Sequence, residues 1–349
     1  MEASKDFQSF YQSTLVPVIE TLEAERKKIA RAVYLSVAFV IIYFMVSMSL
    51  AFNGSSNSAP STPMDPYANQ GAQPQMVYGP SSSGSGSYFI FILLAGGLGY
   101  YFWFLPKRKN LRLRFKSEVI GKMVKFVDEN LNYKPEQGMA RGEFLESHIF
   151  LSAGDRFTSE DLVTGRIGNT EIRFAEVRTE RRDDEGRRNA QYQTYDTLFR
   201  GILFKADFNK NFNGRTVVLT DQAEKAFGGL GTFFQKMNQM RDPLIKMDDV
   251  NFEKAFAVYG TDPVEAHYLL SPSLMERILN FKSKLGKIEL SFVDSHLYVA
   301  IPTRQNLFES RLFSSIVKYP KLETYHHYLQ SLAGMVEDLN LNTRIWTKE

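Results

Sequence analysis

The chain has 349 residues, 42 Lys and Arg against 39 Asp and Glu, a formal net charge of +3, and no cysteine. So small a basic excess supplies no single-sign field for nucleic acid, and the absence of cysteine excludes disulfides, thiol catalysis and cysteine-ligated metals. The length accommodates two or three compact units.

In chain order, residues 1–31 read as an amphipathic stalk helix, with Phe7, Phe10, Tyr11, Val18, Ile19 and Leu22 near one face. Ala32 to Phe52 then forms an uncharged apolar run, long enough to cross about 30 Å of hydrocarbon as a helix. Residues 53–87 are rich in Ser, Gly, Pro, Asn and Gln, with Asp65 as the one charged residue. That composition cannot offset chain entropy and predicts a disordered connector. Tyr88 to Leu105 is a second apolar run at the short limit for a span; Tyr88 at one end and Tyr100, Tyr101 and Trp103 at the other suit two membrane interfaces. A buried core helix is the rival reading of this second run.

Basic residues close to a span are retained on the cytoplasmic side. Arg26, Lys27, Lys28 and Arg31 precede the first run, and Lys107, Arg108, Lys109, Arg112 and Arg114 follow the second. The connector has no Lys or Arg, so the pattern predicts a two-span hairpin with both termini cytoplasmic. The first run is a poor signal peptide, because a long mixed-charge segment precedes it and Ser49 to Phe52 is a poor cleavage site.

Residues 106–143 are predicted to hold a basic amphipathic helix and a linker, with Leu111, Phe115, Val119, Met123, Phe126 and Leu131 on one stripe. Lys107, Arg108, Lys109, Arg112 and Arg114 face lipid headgroups in this reading; a plain topological anchor is the alternative.

Residues 144–349 read as a cytoplasmic α+β domain of antiparallel sheet with packed helices. Ile172 and Phe174 alternate with Glu171 and Arg173, and Arg178 to Arg188 looks like a solvated hairpin tip. Leu198 to Phe208 is apolar on both faces, as a central strand requires, and Gly201 within it marks a bulge or a close backbone approach. Arg215 to Leu219 is the next strand and Phe256 to Tyr259 another. Helices start at Pro263 and Pro272, capped by Asp262 and Ser271. A hairpin pairs Lys287 to Val293 with Leu297 to Ile301, and helices near 304–318 and 322–341 close the domain.

Chemistry is sparse. The five histidines have no ligand spacing, so neither a metal nor a cofactor is expected. Phe227 to Phe234 holds three glycines in no phosphate-binding pattern. Asp155, Glu160 and Asp161 can be imagined as a carboxylate site served by a histidine such as His267. Thr158 followed by Asp161 also resembles a cap on a short helical turn.

The segments Asp155 to Val177, Leu198 to Gly214 and Phe252 to Ile278, together with the preceding hairpin, resemble a bacterial membrane-protein family known as domain of unknown function 3137. The resemblance implies a bacterial inner-membrane location and brings no reaction, cofactor or catalytic residue. The resulting expectation is a membrane-anchored binding or scaffolding module. Its partners are the lipid bilayer and another protein at the cytoplasmic face, not nucleic acid; self-association stays open. A membrane-tethered hydrolase and an anionic-lipid-binding module are the alternatives.

Overall fold

The computed structural model describes residues 2–54, 96–182, 194–208, 212–220, 242–303, 306–309, 313, 315 and 319–341. Residues 55–87 of the connector, 88–95 of the second apolar run, most of the 178–188 tip and the 227–234 glycines lie outside the described residues. The chain divides into two compact units: residues 1–19, 113–310 and 317–349 form one, and residues 20–112 with 311–316 form the other.

The N-terminus is helical through α1 (Glu2–Phe10), a π-helical turn (Tyr11–Leu15) and α2 (Val16–Gly54). Phe7, Tyr11, Leu15 and Ile19 are buried at steps of four. On a regular α-helix each such step drifts about 40°, and the wider π turn offsets that drift to keep the stripe aligned. This stripe packs into the first unit: the Phe7 ring stacks on His326 at 4.1 Å, and Phe10 stacks on Phe126 at 4.1 Å. Residues 2–19 are thus part of the folded unit, whereas the sequence suggested a stalk.

The second unit contains the rest of α2. The helix from Asp6 to Val46 is long and apolar enough to cross a membrane, with mean hydropathy 2.2 and 11% of its apolar window buried. Leu35 and Phe39 are 71% and 66% exposed. Residues 96–99 are helical and lead into a π-helical turn (Tyr100–Phe104) and α3 (Leu105–Phe115). Within this unit Arg26 pairs with Glu23 at 2.8 Å, and Lys107 lies over the Trp103 ring at 4.4 Å.

In the first unit a π-helical turn (Lys116–Ile120) and α4 (Gly121–Val127) repeat the step-of-four pattern, burying Phe115, Val119 and Met123. The strands are β1 (Asn132–Lys134), β2 (Arg156–Ile167), β3 (Thr170–Arg182), β4 (Tyr195–Asp207), β5 (Arg215–Thr220), β6 (Leu244–Ile245), β7 (Phe256–Gly260), β8 (Glu289–Val293) and β9 (His296–Pro302). Among the described residues these nine make one antiparallel sheet in the order β1-β2-β3-β4-β9-β8-β5-β7-β6. The fold is therefore α+β around one large antiparallel sheet. Sequence left open whether the two halves are separate; the pairing of Gly201–Asp207 with His296–Pro302 joins them.

The β4–β9 junction explains Gly201. A Cβ there would run into the carbonyl of Ile301 on β9, so the neighbouring backbone admits only glycine. On one sheet face, α5 (Arg141–Glu146) inserts Phe144 among Ala175, Val177, Phe199, Leu203 and Ala300. The remaining helices are α6 (Val250–Ala255), α7 (Pro263–Leu269), α8 (Pro272–Leu285) and α9 (Tyr319–Asp338). α9 packs on α4 and α8, and buries the expected stripe of Leu322, Tyr325, Leu329, Leu332 and Val336.

Three local expectations need correction. Residues 156–167 form strand β2, so Thr158 and Asp161 do not cap a helical turn. Residues 306–309, expected in a helix, are irregular, because Leu307 and Glu309 are engaged by other elements and not by a helical ladder. Asp262 caps α7 by accepting from Val264 and Glu265, but Ser271 makes no side-chain cap on α8, whose first turn relies on Pro272.

Gly201→Val should force β4 from β9 and lower stability by about 1–3 kcal/mol, read as a reduced urea midpoint with unchanged slope.

Candidate functional site

The site that stands out in chemistry is a buried ionic cluster beneath the π turn at 116–120. Lys116 follows Phe115 on the apolar stripe and is fully buried. Its Nζ donates to Asp161 Oδ2 at 2.7 Å and Glu160 Oε2 at 3.0 Å, with Glu309 Oε1 at 3.9 Å. The Tyr133 hydroxyl of β1 donates to the other Asp161 oxygen.

A β-bulge brings the two acids together. Glu160 pairs with Glu176 and Val163 with Phe174, so Asp161 and Leu162 oppose a single residue of β3. Asp161 takes up the extra length in the left-handed region, at φ 62. Aspartate tolerates that conformation better than most side chains, and the bulge lets consecutive residues both reach Lys116. The neighbouring Leu162 meanwhile joins the apolar cluster around Phe144.

Glu176 sits directly across from Glu160 on β3, and it too is buried. Its Oε2 accepts from the Leu307 amide at 3.2 Å. Burial, then the nearby Asp161 and Glu160 carboxylates, push its carboxyl up to about 7, against the opposing pulls of the Leu307 amide and Lys116. Burial also pushes Asp161 up, opposed by Lys116 and Tyr133. The Tyr328 hydroxyl of α9 is buried with no hydrogen-bond partner among the described residues, and burial together with the Glu176 charge raises its pKa.

The sequence-predicted carboxylates divide. Glu160 and Asp161 share one lysine, whereas Asp155 is about 16 Å along the strand from Glu160 and accepts from the Arg182 amide at 2.7 Å. His267 lies on α7, after β7, which is six places from β2 in the strand order. There it is 3.9 Å from Asp248. Among the described residues no three His, Asp or Glu side chains converge to hold a metal. Of the basic flank, Lys107, Arg108 and Lys109 are exposed, while Arg112 and Arg114 are half-buried and Arg114 pairs with Glu118 at 2.8 Å.

Lys116, Tyr133, Glu176, Glu309 and Tyr328 were missed in sequence. One signal was there: Lys116 occupies a position of the apolar stripe, three residues before Val119. A lysine on a buried face needs a counter-charge, yet nothing in sequence says which strand supplies it.

Residues 197–341 match the family model described as "Protein of unknown function (DUF3137)". This segment belongs to that family. The DUF3137 segment runs from β4 through α9, and so contributes Glu309 and Tyr328 to the cluster but not Lys116, Asp161 or Glu176. None of the curated proteins matches the chain. Among solved structures, the mycobacterial trehalose monomycolate transport factor A, TtfA, is 11% identical with a TM-score of 0.30, covering 63% of this chain and 96% of that one. Likeness at that level carries no inference about fold or activity.

Lys116→Met should leave Asp161 and Glu160 without their counter-charge and cost about 3–5 kcal/mol at neutral pH by urea unfolding. The loss should shrink on acidification, since protonated carboxyls no longer require the ammonium.

Proposed function

We propose that the chain is a membrane-anchored module whose α+β unit binds or scaffolds another protein at the cytoplasmic face of a bacterial inner membrane. The observation that carries this reading is the long α2 helix with its apolar residues outward. About 20 consecutive apolar residues are costly in water and favourable in a bilayer. The second run, 88–105, completes a two-span hairpin in this reading. Its described end, 96–105, is helical, and Tyr100, Tyr101 and Trp103 are exposed as interfacial aromatics would be. The basic flanks on both outer sides put both termini in the cytoplasm, with residues 53–87 outside.

A binding role is favoured over hydrolysis because Lys116 and Asp161, the centre of the charged cluster, are buried. Lys116 is enclosed, Asp161 is tied to Lys116 and Tyr133, and Asp155 is engaged by the Arg182 amide, which leaves these groups occupied by structural contacts. Headgroup binding by the exposed Lys107, Arg108 and Lys109 is compatible with the same anchor, each contributing about 1 kcal/mol near an anionic surface.

The chain has no native thiol, which makes the topology directly testable. Single cysteines at Ser56 or Ser83 should react with an impermeant thiol reagent in intact cells, and one at Ser283 only after lysis. Labelling of Ser283→Cys in intact cells, with protection at the other two, would invert the orientation. Release of the chain by alkaline carbonate would remove the anchor itself.

A further inference from the structure

Away from the charged cluster, the first unit buries a histidine inside an aromatic contact between helices. His326 of α9 is 5% exposed and lies among Phe7 of α1 and Phe126 of α4. Its ring is parallel to that of Phe7, 4.1 Å away at an interplanar angle of 1°, and 5.5 Å from Phe126. Phe10, also on α1, stacks on Phe126 at 4.1 Å. The Nδ1 of His326 is enclosed without a hydrogen-bond partner among the described residues. Asp6 on α1, Lys122 and Lys125 on α4, and Glu323 and His327 on α9 are the charged or titratable side chains next to these rings in the chain. Of these, His327 acts on the buried ring, from 5.9 Å, and in the sense that opposes a charge.

A neutral imidazole suits this place, because it packs as an apolar ring and its bare Nδ1 gives up only a hydrogen bond to water. Protonation changes that. It puts an N–H on Nδ1 where no acceptor lies, and it holds a charge out of water beside a second histidine. Moving α1 away wets the ring and relieves both. The helix has a place to give, since the π turn Tyr11–Leu15 separates α1 from Val16 onward, and Tyr11, Leu15 and Ile19 are buried in their own right. We propose that His326 is an acid-operated clasp on the N-terminal helix: the neutral ring holds Glu2–Phe10 against α4 and α9, and protonation releases that segment at the π turn, baring the faces of His326 and Phe126.

The sign follows from linkage. Burial, and then His327, lower the docked ring from 6.5 to about 4, so its contribution to docking is complete above pH 6.5 and is lost as pH falls toward 4. Glu176 and Asp161 run the other way. Burial raises both, Glu176 to about 7, so falling pH stabilises the cluster around Lys116. Global unfolding would mix these opposing effects, and the clasp is therefore read at α1. It concerns the first unit alone and does not depend on the membrane anchor.

The test is amide hydrogen exchange over peptides within residues 2–15, on the full chain in detergent, corrected for intrinsic exchange. A freed helix of nine residues is too short to keep its ladder, so release reads as lost protection. Protection should fall by up to about tenfold per pH unit as pH drops from 6.5 to 4.5. His326→Phe keeps an uncharged ring in the stack and should abolish the fall. Protection that does not change with pH in the wild type, or an equal fall in His326→Phe, overturns the clasp. Should that variant fail to fold, nitrogen-15 titration of the assigned His326 ring in the wild type decides: a midpoint below pH 6 sustains the proposal, and one at pH 6 or above ends it.

Discussion

The enclosure of Lys116 is the constraint on which the first unit depends. An ammonium out of water costs several kcal/mol unless its hydrogen bonds and charge are matched, so the π turn at 116–120 must lie over Asp161 and Glu160. This fixes the register of the helix against β2 more narrowly than the apolar stripe could, because Phe115, Val119 and Met123 would tolerate a small slide. The bulge at Asp161 is the matching device on the sheet side. One extra residue in β2 aims two successive carboxylates at the same nitrogen, at the cost of a left-handed aspartate.

The cluster also ties elements that are far apart in sequence. Lys116 lies 45 positions from Asp161, and the Leu307 amide lies 131 from Glu176. The DUF3137 segment, beginning in β4, thus closes around acids and a lysine supplied by the preceding part of the chain. The β4–β9 ladder makes the two parts one sheet, and the cluster pins the segment after β9 to β3.

Much of the fold was legible because its signals are local. Pro263 after Asp262, the two-sided apolar run of β4, the β8–β9 hairpin and the α9 stripe each announce an element within a dozen residues. Gly201 was legible as a close approach, though not what it approaches. The site was less legible, because it depends on non-local pairing. Glu160 and Asp161 were singled out as acids, but the same Thr158–Asp161 spacing suggested a cap, and only the strand pairing shows the bulge. Lys116 merged with the basic flank, where its charge resembled that of Arg112 and Arg114. The helix expected near 304–318 failed over 306–309 for the same reason: the Leu307 amide and the Glu309 carbonyl are engaged by β3 and α9 instead of by a helical ladder.

The most direct test of Lys116 as the keystone is a double-mutant cycle with Lys116→Met and Asp161→Asn, following unfolding of the first unit within the full chain. Each single change should destabilise, and the double variant should recover part of the loss, giving a coupling of about 2 kcal/mol or more. Additive losses would contradict the account, because they would mean that helix and sheet are held together by apolar packing alone.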